Sequence, residues 1–263
     1  MRAIGCVGFG VMGEALIKGL RKEYPDSRLL VVEKSQKRME LAISEYRAEN
    51  YNAKSSELFT LCDAVILAIK PQDIDVLRTM APSSCSAVIF SIIAGKPISW
   101  FSEVFSTCEI VRAMPNISAM VGKAPVAISL HPDASERALT VGRAVASAVG
   151  TCFEIPERLM PAFTGLSGSG IAYVLSFMQG MALGGTKAGI SYSQSLEIVS
   201  QLIEGTIALQ KELGNHPEEL VSRVTSPAGT TIEGIHALES GGFKGLVINA
   251  VVSAAERAKD FEK

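Results

Sequence analysis

The 263 residues suffice for one large domain or two smaller ones, and 48% of them are apolar against 20% charged, as in globular proteins with a substantial core. The net charge of -2 offers no basic surface, so neither nucleic acid nor an anionic membrane is expected as a partner. The five cysteines are scattered without CxxC spacing and only three histidines are present, which argues against a disulfide framework and a metal site and favours a reducing, cytoplasmic location.

Neither the N-terminal residues nor the most apolar run of the sequence suggests membrane targeting. Residues 1–7 enter a strand pattern at once, so no signal peptide is expected. The most apolar long run, residues 171–185, is interrupted by Ser176, Gln179 and Gly180. We expect it to fall short of a bilayer span and to form a buried helix.

The first part of the chain alternates short apolar runs with amphipathic segments, among them predicted helices at 14–24 and 35–46. Strand and helix in alternation predict right-handed crossovers and a mostly parallel sheet covered on both faces. The predicted strands are residues 3–7, 29–33, 64–69, 87–93, 110–114, 127–130 and 152–155.

The pattern changes to helical spacing after Pro156. Ser191 begins a capping box that opens a helix through Leu213, Pro217 suits the first turn of another helix, and Gly241 ends a third. The sequence therefore predicts two domains, a dinucleotide-binding α/β domain over residues 1–155 and an all-helical domain over residues 156–263. The first helix of the all-helical domain is apolar and glycine-rich, which indicates burial against a second subunit.

A GxGxxG pattern follows the first predicted strand and opens a helix. In a dinucleotide-binding turn the first glycine allows the tight turn and the second lets a pyrophosphate approach the backbone. The third lets helix and strand pack closely. The alternative is an ordinary tight turn, which the flanking strand and helix disfavour. The predicted pyrophosphate site is Gly8-Phe9-Gly10-Val11-Met12-Gly13.

The end of the second predicted strand carries mixed signals about the cofactor ribose. Glu33 is placed to accept a hydrogen bond from a 2′-hydroxyl, as NAD requires, whereas Lys34, Ser35 and Arg38 could hold the 2′-phosphate of NADP. A solvated charge run at a helix start is the plain alternative. The sequence leaves the choice between NADPH and NADH open.

Three further turns follow parallel strands, where open α/β sheets bind ligands. We expect them to form a nicotinamide pocket, although each could be ordinary loop chemistry and Arg112, just before the third, could be a surface ion-pair residue. The candidate residues are Ala68, Ile69, Lys70 and Pro71 in the first turn, Ala94 in the second and Asn116 in the third.

Two glycine-rich segments mark the helical part. Residues 165–170 (GLSGSG) are expected to break or start a helix, as a site of close approach or as a mere hinge. Residues 226–231 (SPAGTT) precede a helix predicted at 232–239, so the amides of Gly229, Thr230 and Thr231 would lie at a helix N-terminus and bind a carboxylate, with Ser226 beside them. An ordinary Ser/Thr cap is the alternative.

These motifs, in this order, resemble the pyrroline-5-carboxylate reductase family over essentially the whole chain. The resemblance is carried by the AxKP turn at 68–71, Ala94-Gly95, the MPN turn at 114–116, GLSGSGIAY at 165–173 and TSPAGTT at 225–231. It implies a Rossmann-like domain followed by a helical dimerisation domain, a homodimer that can assemble into rings, and reduction of 1-pyrroline-5-carboxylate to proline by NADPH or NADH, with NADPH slightly favoured.

Some residues depart from the family pattern. Ile171 replaces a usual proline, and Ala228 stands where a second glycine is common. Ser55 occupies a position that often carries an asparagine near the adenosine, and we retain it as a cofactor candidate.

The expected chemistry needs no strong side-chain base, because an imine is activated by a hydrogen bond or proton at its nitrogen. We expect Thr231 to supply that hydrogen bond, with the substrate loop coming from the partner subunit. Two alternatives remain. A β-hydroxyacid dehydrogenase or related imine reductase would place a lysine early in the interdomain helix, where 167–173 has none; a non-catalytic NAD(P) sensor would not need a carboxylate site.

Overall fold

A computed structural model describes residues 1–262 of the chain. The chain divides into two compact units, one comprising Met1–Gly168 together with the residues from Ala254 on, the other Ser169–Ser253. The described strands are β1 (Ala3–Val7), β2 (Arg28–Val32), β3 (Glu49–Asn50), β4 (Ala64–Leu67), β5 (Val88–Ser91), β6 (Glu109–Met114), β7 (Ala124–Leu130) and β8 (Gly150–Glu154).

The described α-helices are α1 (Val11–Glu23), α2 (Gln36–Tyr46), α3 (Leu58–Leu61), α4 (Val76–Met80), α5 (Ile98–Val104), α6 (Glu136–Ser147), α7 (Met160–Phe163), α8 (Gly170–Lys187), α9 (Tyr192–Leu213), α10 (Pro217–Val224), α11 (Thr230–Ser240) and α12 (Phe243–Asp260). Short 3₁₀ turns occupy Asn52–Glu57, Pro71–Asp73, Ile117–Val121 and Glu157–Leu159, and a π-helical turn occupies Thr164–Gly168.

The strands form one sheet in the order β3-β2-β1-β4-β5-β6-β7-β8. Neighbouring strands are parallel except β6 and β7, which pair antiparallel because only a short loop joins them. The predicted Rossmann-like, mostly parallel sheet is confirmed, and all seven predicted strands are present with slightly shifted ends. β3 was missed because its two residues are polar and exposed.

Both faces of the sheet are buried, which explains the nearly continuous apolar runs in the sequence. Along β1, Ile4 and Cys6 face one core and Ala3 and Val7 face the other, as strand alternation requires. The strand that carries the glycine-rich turn is thus fixed from both sides.

The second unit is helical, and its predicted helix ends are confirmed. The Ser191 side chain caps α9 by accepting a hydrogen bond from the Gln194 N–H, Pro217 occupies the first turn of α10, and Gly241 follows α11. The domain boundary at residues 155–156 lies just after β8 and stays a prediction.

The helix α8 is far less buried than the sequence indicated. Among its described residues only Ala182 is fully buried, while Val174, Leu175 and Leu183 are exposed. A single chain therefore leaves α8 largely uncovered, and its expected burial against a second subunit stays a prediction. The apolar run 171–185 was expected to fall short of a bilayer span. It lies in a longer helical stretch, Glu157–Lys187, that is long and apolar enough to cross a membrane by length and composition, although one such helix is weak evidence for a span.

A disulfide joins Cys85 and Cys108, with their Cα atoms 5.2 Å apart. The sequence argued against a disulfide framework because the five cysteines are odd in number and scattered without CxxC spacing. The parallel pairing of β5 with β6 brings the segments before these two strands together, which sequence spacing does not reveal. The expectation is therefore wrong for this pair of cysteines.

Candidate active site

Two of the three glycines in the predicted dinucleotide turn are required by packing. Gly8 has φ +89°, and a Cβ added there would lie 2.8 Å from the carbonyl of Ala68 on the next strand. A Cβ on Gly13 would lie 2.3 Å from the carbonyl oxygen of Gly8. These positions hold α1 close to the ends of β1 and β4, so no larger residue fits at either of them.

The middle glycine, Gly10, is required for a different reason. It is exposed at the N-cap of α1, where no side chain caps the helix, and a Cβ added there would meet nothing within 4 Å. The first backbone N–H groups of a helix lack intrahelical acceptors, so those at the start of α1 suit an anion. The space next to Gly10 therefore fits a pyrophosphate. Packing within the protein does not explain why this position is a glycine.

A cleft of about 520 Å³ opens in front of this turn at the carboxyl ends of β1, β2 and β4. The strand order reverses at β1, and ligands bind at such a switch point in open α/β sheets. Of the predicted cofactor residues, it brings together Gly8, Gly10, Lys34, Ala68, Ile69 and Lys70. Its other lining residues are Val7, Val32, Glu33, Arg38, Gln72, Asp73, Val76 and Met80.

The remaining predicted cofactor residues on these elements surround the cleft. Phe9 is fully buried beneath the turn, Val11 and Met12 lie in the first turn of α1, Ser35 caps α2, and Pro71 begins a 3₁₀ turn. Ser55 is half-buried on the 3₁₀ turn Asn52–Glu57 and is not among the described residues that line the cleft.

The carboxylate of Glu33 is held by the protein backbone. It accepts hydrogen bonds from the N–H groups of Phe9 at 2.6 Å and of Ser35 at 2.7 Å. Asn52, which the sequence did not single out, fixes the Glu33 backbone from the other side through its side-chain amide, with bonds of 2.9 and 3.0 Å. Glu33 thus ties the glycine-rich turn to the start of α2.

Two cations next to Glu33 face the cleft and are paired with carboxylates. Lys34 Nζ lies 2.8 Å from Asp73, and the Arg38 guanidinium lies 2.7 Å from Glu14. The Lys34 side chain is largely exposed, and exposed ion pairs are worth only about 0–1 kcal/mol. A phosphate can therefore compete for Lys34 at little cost, whereas the Arg38–Glu14 pair is less exposed and costs more to separate.

The turns after β5 and β6 differ in how exposed they are. Ala94 is exposed on a turn whose next residue, Gly95, has φ +74°. Asn116 is buried, and its amide donates hydrogen bonds to the backbone and side-chain oxygens of Ser167 at 3.1 and 3.2 Å. The Asn116 side chain therefore holds the π-helical turn Thr164–Gly168, so the segment predicted to break a helix forms a wide turn anchored to β6.

Arg112 on β6 is buried, with a side chain only 3% exposed, so the suggestion of a surface ion pair is wrong.

A buried Cys6 lies below the glycine-rich turn, and burial, with a smaller contribution from Glu33, raises the pKa of its thiol. Cys6 is thus a neutral packing residue and not a nucleophile.

The second unit builds a separate candidate anion site at the start of α11. Gly229 is the N-cap of this helix without a side-chain cap, and Thr230 and Thr231 form its first turn. The Gly229 N–H donates to the Ser226 backbone oxygen at 3.1 Å, and a Cβ on Gly229 would clash with the Ser226 hydroxyl at 2.3 Å. The predicted substrate residues are therefore brought together on one turn.

Ala228 explains one departure from the family pattern. Its φ is +55°, in the left-handed region that favours glycine. This accounts for the glycine that is common at this position, because Ala228 adopts this backbone conformation with some strain.

Comparisons with known proteins agree over the whole length. A family model described as pyrroline-5-carboxylate reductase dimerisation matches residues 157–261, and one described as NADP oxidoreductase coenzyme F420-dependent matches residues 3–95. A pyrroline-5-carboxylate reductase of Aquifex aeolicus is 37% identical over 258 residues, covering 97% of this chain and 96% of the relative.

Two solved structures share the fold of this chain, at similar levels of sequence identity to it. The 1-pyrroline-5-carboxylate reductase of Streptococcus pyogenes superposes with a TM-score of 0.87 at 29% identity, covering 98% of both chains. A pyrroline carboxylate reductase of Plasmodium falciparum with NADP bound gives a TM-score of 0.87 at 28% identity, covering 99% of this chain and 98% of the other.

Proposed function

The chain belongs to the pyrroline-5-carboxylate reductase family, and we propose that it transfers hydride from NADPH or NADH to the imine carbon of 1-pyrroline-5-carboxylate, giving L-proline. The observation that carries the cofactor assignment is the open position at Gly10, between two glycines that packing requires. A glycine that nothing in the fold needs is explained by a ligand that approaches the backbone there.

The residues of the first unit would hold the cofactor in one orientation. The amides at the start of α1 would bind the pyrophosphate, and the turns at Ile69-Lys70 and Ala94 would position the nicotinamide ring. When bound, the reduced nicotinamide supplies the hydride. The pre-formed cleft reduces the ordering cost of binding, since its walls are strand ends and helix starts.

The residues of the second unit would hold the substrate. The N–H groups of Thr230 and Thr231 would bind the substrate carboxylate at the positive end of α11, whereas the Gly229 N–H, also expected there, already donates to the Ser226 backbone oxygen. The Thr231 hydroxyl would donate a hydrogen bond to the ring nitrogen of the neutral imine, where negative charge develops as hydride reaches the imine carbon. This hydrogen bond would polarise the C=N bond and accelerate the reaction without a side-chain base.

We propose a preference for NADPH over NADH. Glu33 already accepts two backbone hydrogen bonds, so its carboxylate is committed to the fold and is a poor partner for a ribose 2′-hydroxyl. Lys34, Ser35 and Arg38 present two cations and a hydroxyl next to it, which suits a 2′-phosphate. The ion pairs of the two cations limit the preference, because the phosphate must displace Asp73 or Glu14.

We also propose that the chain forms a homodimer through its helical part, with rings of dimers as a further step, and that it acts in the cytoplasm. The exposed apolar residues of α8, α9 and α12 support the dimer, because apolar surface of this extent favours burial against another copy. Light scattering after size-exclusion chromatography tests it: a mass twice or a multiple of the chain mass is expected, and a monomer contradicts it.

The reaction is tested by following the loss of reduced-nicotinamide absorbance with 1-pyrroline-5-carboxylate, using NADPH and NADH in parallel. Oxidation with both cofactors, faster at equal low concentration with NADPH, is the expected result. A higher kcat/KM with NADH contradicts the ribose assignment alone. No oxidation with either cofactor contradicts the proposed reaction.

A further inference from the structure

A buried cation links three distant parts of the first unit. Arg112 on β6 donates one hydrogen bond from its guanidinium to Glu157 at 2.9 Å and another to Glu262 at 2.5 Å. Because its side chain is 3% exposed, the guanidinium has little water around it and depends on these two carboxylates for compensation. We call Arg112, Glu157 and Glu262 the carboxylate clamp.

The carboxylate clamp extends to the start of α5. The same Glu157 oxygen that binds Arg112 also accepts a hydrogen bond from the backbone N–H of Ile98 at 2.7 Å. Ile98 is the first residue of α5, and it follows the turn at Ala94-Gly95 by only three residues. A displacement of Arg112 or Glu157 is therefore transmitted directly to this turn.

The segment that carries Glu262 also contacts the turn itself. A Cβ added to Gly95 would lie 2.6 Å from the backbone oxygen of Phe261, so the Phe261 backbone packs directly on the glycine. The Arg257 guanidinium lies 4.7 Å above the Phe261 ring, a cation–π contact on the exposed side of this residue. The turn is thus fixed by backbone packing on one side and by the carboxylate clamp on the other.

We propose that Glu262 is a positioning residue for the cofactor, acting through Arg112, Glu157 and the Ala94-Gly95 turn. This rests on the proposed function to the extent that the turn is assigned to the nicotinamide. Without Glu262 the guanidinium loses half of its compensation and turns toward other acceptors or water, which releases Glu157 and the start of α5. The nicotinamide side of the cleft then becomes less ordered, and the cofactor must order it on binding.

The test compares Glu262→Gln and Glu262→Asp with the wild type. Glu256→Gln, on the exposed surface of α12, is the matched control because it removes the same charge from the helix that precedes Glu262 without touching Arg112. Binding of NADPH is measured directly by energy transfer from Trp100, the sole tryptophan, which lies on α5. Thermal unfolding and the separate KM values for NADPH and 1-pyrroline-5-carboxylate are measured on the same samples.

We expect Glu262→Gln to raise the dissociation constant for NADPH about tenfold, with little change in the KM for 1-pyrroline-5-carboxylate. Glu262→Asp should recover most of the affinity, and Glu256→Gln should match the wild type. If Glu262→Gln lowers the unfolding temperature but leaves the dissociation constant within about twofold of the wild type, the carboxylate clamp only stabilises the fold and the proposal is wrong.

The two proposals fail separately. The dissociation constant is measured without turnover, so a wild-type protein that binds NADPH but does not reduce 1-pyrroline-5-carboxylate contradicts the proposed reaction and leaves the role of Glu262 intact. A wild-type protein that catalyses the reaction, together with unchanged NADPH binding in Glu262→Gln, contradicts the role of Glu262 alone.

Discussion

Gly10 and Gly13 stand three residues apart in the same turn, yet replacing them with alanine should have opposite effects. In Gly10→Ala the new methyl group meets no protein atom within 4 Å, and the backbone at φ -73° and ψ -170° is open to alanine. Alanine is a poorer N-cap than glycine, but it also restricts the unfolded chain by about 0.4–1 kcal/mol. The free energy of unfolding should therefore change by less than about 1 kcal/mol.

Gly10→Ala should weaken cofactor binding even though it leaves the stability of the fold almost unchanged. The methyl group of Gly10→Ala occupies the space in which the pyrophosphate approaches the α1 amides, so NADPH must move away from its best donors. A loss of about 2 kcal/mol, or about thirtyfold in the dissociation constant, is the expected size, since hydrogen bonds to charged groups are worth about 1.5–3 kcal/mol each. In Gly13→Ala, by contrast, the methyl group would lie 2.3 Å from the Gly8 carbonyl oxygen, and the shift of α1 should destabilise the fold by about 1–3 kcal/mol.

Urea unfolding and NADPH titration of both variants check this separation of roles. Gly10→Ala should unfold like the wild type and bind NADPH poorly. If Gly10→Ala binds NADPH within twofold of the wild type, the pyrophosphate does not lie at this turn, and the argument from open space is refuted.

Three further predictions concern the substrate site, acid stability and the disulfide. Thr231→Ala should lower kcat about 10²–10³-fold with unchanged NADPH affinity, as for a lost transition-state donor, and Thr231→Ser should restore much of it; equal kcat values would show that Thr231 is not the donor. Burial raises the pKa of Asp63, but the backbone hydrogen bonds from Arg2 and Ala3, together with nearby positive charge, lower it by more. The net pKa of this carboxyl is therefore below its ordinary value. Its stabilising contribution is then present above the unfolded-state pKa of about 3.9 and lost as the pH falls through the folded-state value, so Asp63→Asn should cost about 1 kcal/mol at pH 7 in urea unfolding, with a smaller difference near pH 3; a constant difference would contradict this sign. Cys85→Ser should lower stability by about 3 kcal/mol in oxidising buffer and by little in reducing buffer, because the link to Cys108 spans 23 residues; equal stability in oxidising buffer would show that the disulfide does not form in solution.

Much of the first unit was predictable because its signals are local. Strand β4, for instance, is fully buried on both faces, so its run of apolar residues identified it directly. The packing roles of Gly8 and Gly13 followed from the known backbone needs of a dinucleotide turn, whereas the role of Gly10 stays a prediction. The helix caps at Ser191 and Pro217 were equally local, because a cap depends only on residues one turn away.

The features that escaped prediction depend on contacts between distant residues. The sequence left open whether Glu33 contacts the ribose, and the orientation of this side chain is set by the Phe9 amide, 24 residues earlier. Arg112 meets Glu262 across 150 residues, and only the folded chain shows that this arginine is buried. The extent to which α8 is exposed in a single chain was also not predictable, because composition identifies apolar surface but not what covers it.

Transfer of deuterium from the cofactor to the product tests the central claim most directly. The enzyme is supplied with NADPH carrying deuterium at the transferable position of the nicotinamide, together with 1-pyrroline-5-carboxylate in ordinary water. The account predicts proline with one deuterium at C5, the former imine carbon, in amounts equal to the NADPH consumed. Proline without deuterium, or NADPH consumption without proline, would contradict it.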